Sequence, residues 1–80
     1  MEDLDIVRRI NDLSDEEHAL ERAHAGTPLS EEDLARLRRV EVALDQCWDL
    51  LRQRRARRNA GADPDSAAVR DAGTVEHYQQ

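Results

Sequence analysis

From Leu34 to Arg58 the sequence reads LARLRRVEVALDQCWDLLRQRRARR, with apolar residues returning at alternating gaps of three and four. No other feature constrains the fold as strongly. Leu37, Val40, Leu44, Cys47 and Leu51 fall on one seam of a helix turning every 3.6 residues. Leu34 and Trp48 widen that seam into a stripe, and Arg38, Arg39, Asp45, Asp49 and Gln53 take other faces. Ser30 supplies a start signal, with Asp33 three positions on in the manner of a capping box and Leu29 and Leu34 placed as a hydrophobic staple. Glu31, Glu32 and Asp33 suit the positive end of the helix dipole, as Arg54, Arg55, Arg57 and Arg58 suit the negative end. Asn59-Ala60-Gly61 supplies the stop. The pattern predicts a helix over about 31–59.

A second helix is predicted over about 3–25. Ile6, Ile10, Leu13 and Leu20 repeat the spacing, interrupted where Glu17 and His24 occupy seam positions. Gly26 suits a left-handed cap, and Thr27-Pro28 keeps the following residues out of helical geometry. The short turn, 26–30, forces the helices back on each other as an antiparallel hairpin. Equal rise on both helices then pairs residues whose numbers sum to about 57. Ile6 falls level with Leu51, Ile10 with Cys47, Leu13 with Leu44, Glu17 with Val40 and Leu20 with Leu37. Asp5 is brought towards Arg52, Arg8 and Arg9 towards Asp49, and Glu21 towards Arg36.

Eighty residues, of which 38% are charged, with no Phe, one Trp and one Tyr, leave little material for a thick core. A bare hairpin of this kind is marginal, and Leu4, Val7, Trp48 and Leu50 flank its seam. The expected fold class is therefore all-α, an antiparallel two-helix, coiled-coil-like hairpin over 1–60 that dimerises into a four-helix bundle. Residues 61–80 are expected to form a tail with a short helix over 64–70, capped by Asp63 with Pro64 in its first turn, and extended or mobile chain beyond. Val75 and Tyr78 are the sizeable apolar side chains beyond that helix. They are candidates for docking near Trp48 or for a short linear motif.

Charge is segregated. Residues 1–34 hold eleven acids against three arginines, 35–60 eight arginines against three acids, and 61–80 four acids against one arginine, within a total of −6. This acidity weighs against indiscriminate nucleic-acid binding. A single cysteine gives no internal disulfide framework and, with no charged-then-apolar leader over Met1–Ile10, points to the cytoplasm. No apolar run approaches the ~20 residues that span a bilayer.

Candidate sites are few. Arg52, Arg54, Arg55, Arg57 and Arg58 can grip phosphates or an acidic protein surface, although no aromatic residues interleave to stack bases. The plainer reading is a helix-end cluster bonded to acids of its own chain. Trp48, a large ring beside the seam, suits an interface anchor. Glu21-Arg22-Ala23-His24, with Glu17 one turn earlier, matches the Glu-x-x-His spacing of metal-binding bundles, and solvated charges at the loop end of a hairpin are its plainer reading. Cys47 reads as a small core residue. No reaction centre and no cofactor are expected. The leading expectation is a small non-enzymatic interaction module working through a homodimer and an unidentified protein partner. A nucleic-acid or ribosome-associated accessory using the basic cluster is the alternative, and a metal-binding bundle a weaker one.

Glu16-Glu17-His18-Ala19-Leu20, the run from Leu44 to Arg58, and Asp63-Pro64 together resemble a family of short bacterial proteins known as a domain of unknown function. The likeness spans essentially the whole chain and implies a complete protein rather than a fragment. It implies no activity, ligand or site residue.

Overall fold

In the computed structural model of the protein, residues 2–79 are described, with side chains only as far as residue 76. Two helices dominate, α1 over Asp3–Ala23 and α2 over Glu31–Asn59. A 3₁₀ turn, Pro64–Ser66, and a short helix α3, Ala72–Gln79, follow. No strand occurs among the described residues.

The amphipathic stripes meet over the half of the hairpin away from the turn, whereas Leu20 and Leu37, expected as the layer nearest the turn, are only partly buried. Ile6, Ile10 and Leu13 of α1 are buried with Val40, Leu44, Leu50 and Leu51 of α2, and Ala43, Cys47 and Ala67 pack at the edges. The antiparallel register is fixed at both ends by polar side-chain contacts between the helices. His24 Nε2 lies 2.6 Å from Asp33 Oδ2 near the turn, and Arg54 Nε lies 2.6 Å from Asp3 Oδ1 at the far end. Between them the charges pair differently from expectation. Arg36 bonds Glu16 at 2.7 Å rather than Glu21. Asp49 bonds Arg70 of the tail rather than Arg8 or Arg9.

Local signals set the ends of α2. Ser30 Oγ accepts the amide of Asp33 at 3.1 Å. The Asp33 carboxylate, expected to bond back towards Ser30, instead faces His24. At the other end, Gly61 adopts φ +75°, the amide of Ala62 donates to Arg57 O at 2.7 Å and that of Gly61 to Arg58 O at 3.1 Å. This is a Schellman motif, and it turns the chain back along α2. Helix α1 ends at Ala23, two residues before the expected end, because His24 leaves helical geometry (φ −113°, ψ 15°) ahead of Gly26 at φ +84°.

The tail departs most from expectation. Asp63 and Pro64 start a helical turn as read, with Asp63 Oδ1 accepting the amide of Asp65 at 2.9 Å. The turn stops at Ser66 instead of continuing to residue 70. Ala67 becomes extended (ψ 145°), so that Ala68 O accepts Gln53 Nε2 at 2.9 Å and Arg70 O accepts Gln46 Nε2 at 3.2 Å. Where extended chain was expected, α3 forms. Asp71 caps it, its carboxylate accepting the amide of Thr74 at 2.9 Å and the Thr74 hydroxyl at 2.8 Å. Val75, 1% exposed, is the buried anchor by which α3 packs on α2. Leu50, expected on an open flank, is covered on the side where Ala67 docks.

Leu51→Ala removes a side chain only 2% exposed and is expected to cost about 2–5 kcal/mol, measured by urea unfolding followed by circular dichroism. Gly61→Ala meets no atom within 4 Å, so its expected loss of about 1–2 kcal/mol is that of a left-handed residue gaining a Cβ.

Candidate functional site

The basic cluster divides into arginines committed to the fold and arginines that face solvent. Arg54 is 4% exposed. Its Nε donates to Asp3 Oδ1, and its Nη1 donates to Asp65 Oδ1 at 2.9 Å and to Pro64 O at 3.3 Å. Arg58 Nη2 approaches the other oxygen of Asp3 at 3.1 Å. Arg57 Nη1 donates to Ser66 Oγ at 3.1 Å, while its Nε is covered without an acceptor. A covered guanidinium is tolerated only where acceptors surround it. Here they come from the first turn of α1 and from the 3₁₀ turn. The Arg54 hydrogen bond holds Asp3 below the usual carboxylate range, and the same guanidinium lowers Asp65. Arg54 is raised in turn by its bonds to Asp3 and then Asp65.

A second clasp closes the tail. Asp49 is 1% exposed on α2, and Arg70 meets it with a fork: Nε donates to Oδ2 at 2.9 Å, and Nη2 donates to Oδ1. Gln53 Nε2 adds a bond to Asp49 Oδ2 at 3.0 Å. The Arg70 bond is the main reason the Asp49 carboxyl stays below its ordinary range, outweighing the burial that opposes it. Two-pronged Arg–carboxylate pairing fixes orientation as well as charge. Asp49, Arg70 and Asp71 did not emerge as structural anchors from the sequence pattern, although Asp71-x-x-Thr74 carried a helix-cap signal.

Between α1 and the tail runs a cleft of about 480 Å³ floored by Ile6, Ala43, Cys47 and Leu50, with Val69 at one wall and Arg9 at the other. Burial pushes the Cys47 thiol up, and Arg9 opposes this only in part. A raised thiol is a poor nucleophile.

The other side of the hairpin is open. Trp48 is 44% exposed on α2, with Val7 at 36% and Leu4 at 58% on α1. At about 100° per residue, Trp48 points away from Gln46 and Gln53, so the tail lies on the opposite side of α2. Arg52 and Arg55 are exposed near Trp48, and their side chains make no hydrogen bond or ion pair among the described residues.

Of the metal candidates, His24 is engaged with Asp33 across the turn. Glu17 and Glu21 are not brought to it as a ligand set, since among the described residues no three His, Cys, Asp or Glu side chains converge on a common point. The side chain of Tyr78 lies outside the described residues. No helix among the described residues is long and apolar enough to cross a membrane.

The family described as "Protein of unknown function (DUF2630)" matches residues 2–80. Similar curated proteins include an uncharacterised protein of Mycobacterium bovis and uncharacterised proteins from two strains of Mycobacterium tuberculosis. Each is 53% identical over 78 residues, covering 95% of this chain and 88% of the relative. No solved structure matches the chain.

Asp49→Asn leaves the hairpin seam intact and weakens the tail clasp. Amide exchange in α3 is expected to accelerate about tenfold, with Ile6, Ile10 and Leu51 unaffected; equal acceleration everywhere would refute a separable clasp. Asp3, Asp49, Asp65 and Asp71 all have carboxyl groups lowered in the fold. Their contribution is complete above the ordinary carboxylate value of about 4 and is lost as pH falls through the lowered values. The melting temperature is therefore expected to drop progressively below about pH 4, and these four groups add no pH dependence above about pH 5.

Proposed function

The chain belongs to this family of proteins of unknown function, and from that premise we propose that it is a small non-enzymatic helical interaction module that binds protein through its open flank. The observation that carries the reading is asymmetry. One side of the hairpin is straddled by the chain's own tail, which leaves only the cleft at Cys47 beside it, while the other presents Trp48, Val7 and Leu4 to solvent with nothing of the described chain across them. A half-exposed indole beside aliphatic side chains on a rigid helix supplies a large apolar area at little cost in side-chain ordering, the usual composition of an interface anchor. Charges rim it without crossing it, which suits an interface with a dry centre and a polar edge.

The distribution of reactive groups supports a binding role over catalysis. The lowered carboxyl groups at Asp3, Asp49 and Asp65 are spent on Arg54 and Arg70, and the thiol in the cleft is raised rather than activated. The basic cluster supports phosphate binding only weakly, because Arg54, Arg57 and Arg58 are turned to the chain's own acceptors.

A photo-crosslinking residue placed at position 48 of the full chain, in host cells, tests the reading. Adducts containing a polypeptide are expected from position 48 and not from Arg39, which is exposed on the opposite face of α2. Adducts containing nucleic acid, or none at all, would overturn it.

A further inference from the structure

Resting on the protein-binding reading of the open flank, we propose that its occupant is a second copy of this chain, the two α2 helices crossing antiparallel on a two-fold axis at Trp48. The inference comes from charges that form no ion pair within the described monomer, although Arg52 lies near enough to Asp49 to help lower its carboxyl. Glu41 and Asp45 lie seven and three residues before Trp48, and Arg52 and Arg55 four and seven residues after it. At about 100° per residue all five fall within one arc of about 80° along α2. Among the described residues, none of the four charged side chains forms an ion pair, in contrast to Asp3, Glu16, Asp33, Arg36, Arg54 and Arg58.

A two-fold axis through Trp48 carries each position n onto 96 − n of the other copy. Glu41 falls opposite Arg55. Asp45 falls one residue from Arg52, an offset of about 1.5 Å that long side chains absorb. The acids of each copy therefore meet the arginines of the other, twice over, around a central pair of indoles. A parallel pairing would set Glu41 against Glu41 and Arg55 against Arg55, so the pattern selects one orientation. The hairpin register agrees with this axis. His24 with Asp33 and Asp3 with Arg54 both sum to 57, which puts residue 9 of α1 level with Trp48. Val7 and, further out, Leu4 lie close to that level, where the same rotation brings the other copy's α1 across them.

The experiment is sedimentation velocity on the full chain across micromolar concentrations, with helicity followed by circular dichroism. Wild type is expected to sediment as a dimer. The R52E/R55E variant, whose flank carries only acids, and the E41R/D45R variant, whose flank carries only arginines, are each expected to dimerise at least tenfold more weakly with unchanged helicity. Mixed together, they are expected to form a heterodimer, and the quadruple exchange restores self-association. A wild-type monomer up to about 100 µM, or reversed variants that dimerise as tightly as wild type, would overturn the proposal. If wild type is monomeric while position 48 crosslinks to a different polypeptide, the self-pairing falls and the protein-binding reading stands. If position 48 crosslinks to no polypeptide, both fall.

Discussion

A guanidinium removed from water must be neutralised where it lies, and in this fold that requirement ties together three segments distant in sequence. Arg54 is covered because it continues the apolar seam of α2 one turn beyond Leu51. Once there, it needs acceptors on every donor face. Asp3 comes from the start of α1, Asp65 and the Pro64 carbonyl from the 3₁₀ turn. The interaction therefore sets the hairpin's register at its open end and the point at which the tail returns to it. A lysine in its place would offer a point charge and no fork.

The seam itself was legible from spacing, as were Ser30 as a helix start and Gly61 as a stop, because those signals are local and each acts within one turn. Arg54 was legible as charge and not as core. Its spacing from Cys47 and Leu51 places it on the seam, but a run of arginines reads as a solvated helix end unless an acid is already known to face it. The tail was hardest to read. Nothing local decides whether 67–70 continues a helix; the choice rests with Gln46 and Gln53, which take the Ala68 and Arg70 carbonyls that a helix would have used internally. The same tertiary demand gives Asp49 to Arg70 and leaves Arg8 and Arg9 at the rim of the cleft.

The proposed function rests on which surfaces the chain covers by itself. The tail packs at Leu50 and bonds Asp49, so one side of the hairpin is occupied by the chain itself, apart from the cleft at Cys47. The side bearing Trp48 is left to solvent, and the charges beside it run in the order acids, indole, arginines. An interface reading accounts for the exposed ring and these charges together.

The strap beside the cleft is held chiefly by ionic and amide bonds, with partly buried Ala67 and buried Val75 as its apolar contributions. Lifting it would break the Asp49 fork and two glutamine bonds without touching the seam of Ile6, Ile10, Leu13, Leu44 and Leu51. Because an ion pair and hydrogen bonds carry most of this attachment, its hold weakens as salt screens the Asp49–Arg70 pair and as acid protonates Asp49, two conditions that leave the apolar seam untouched.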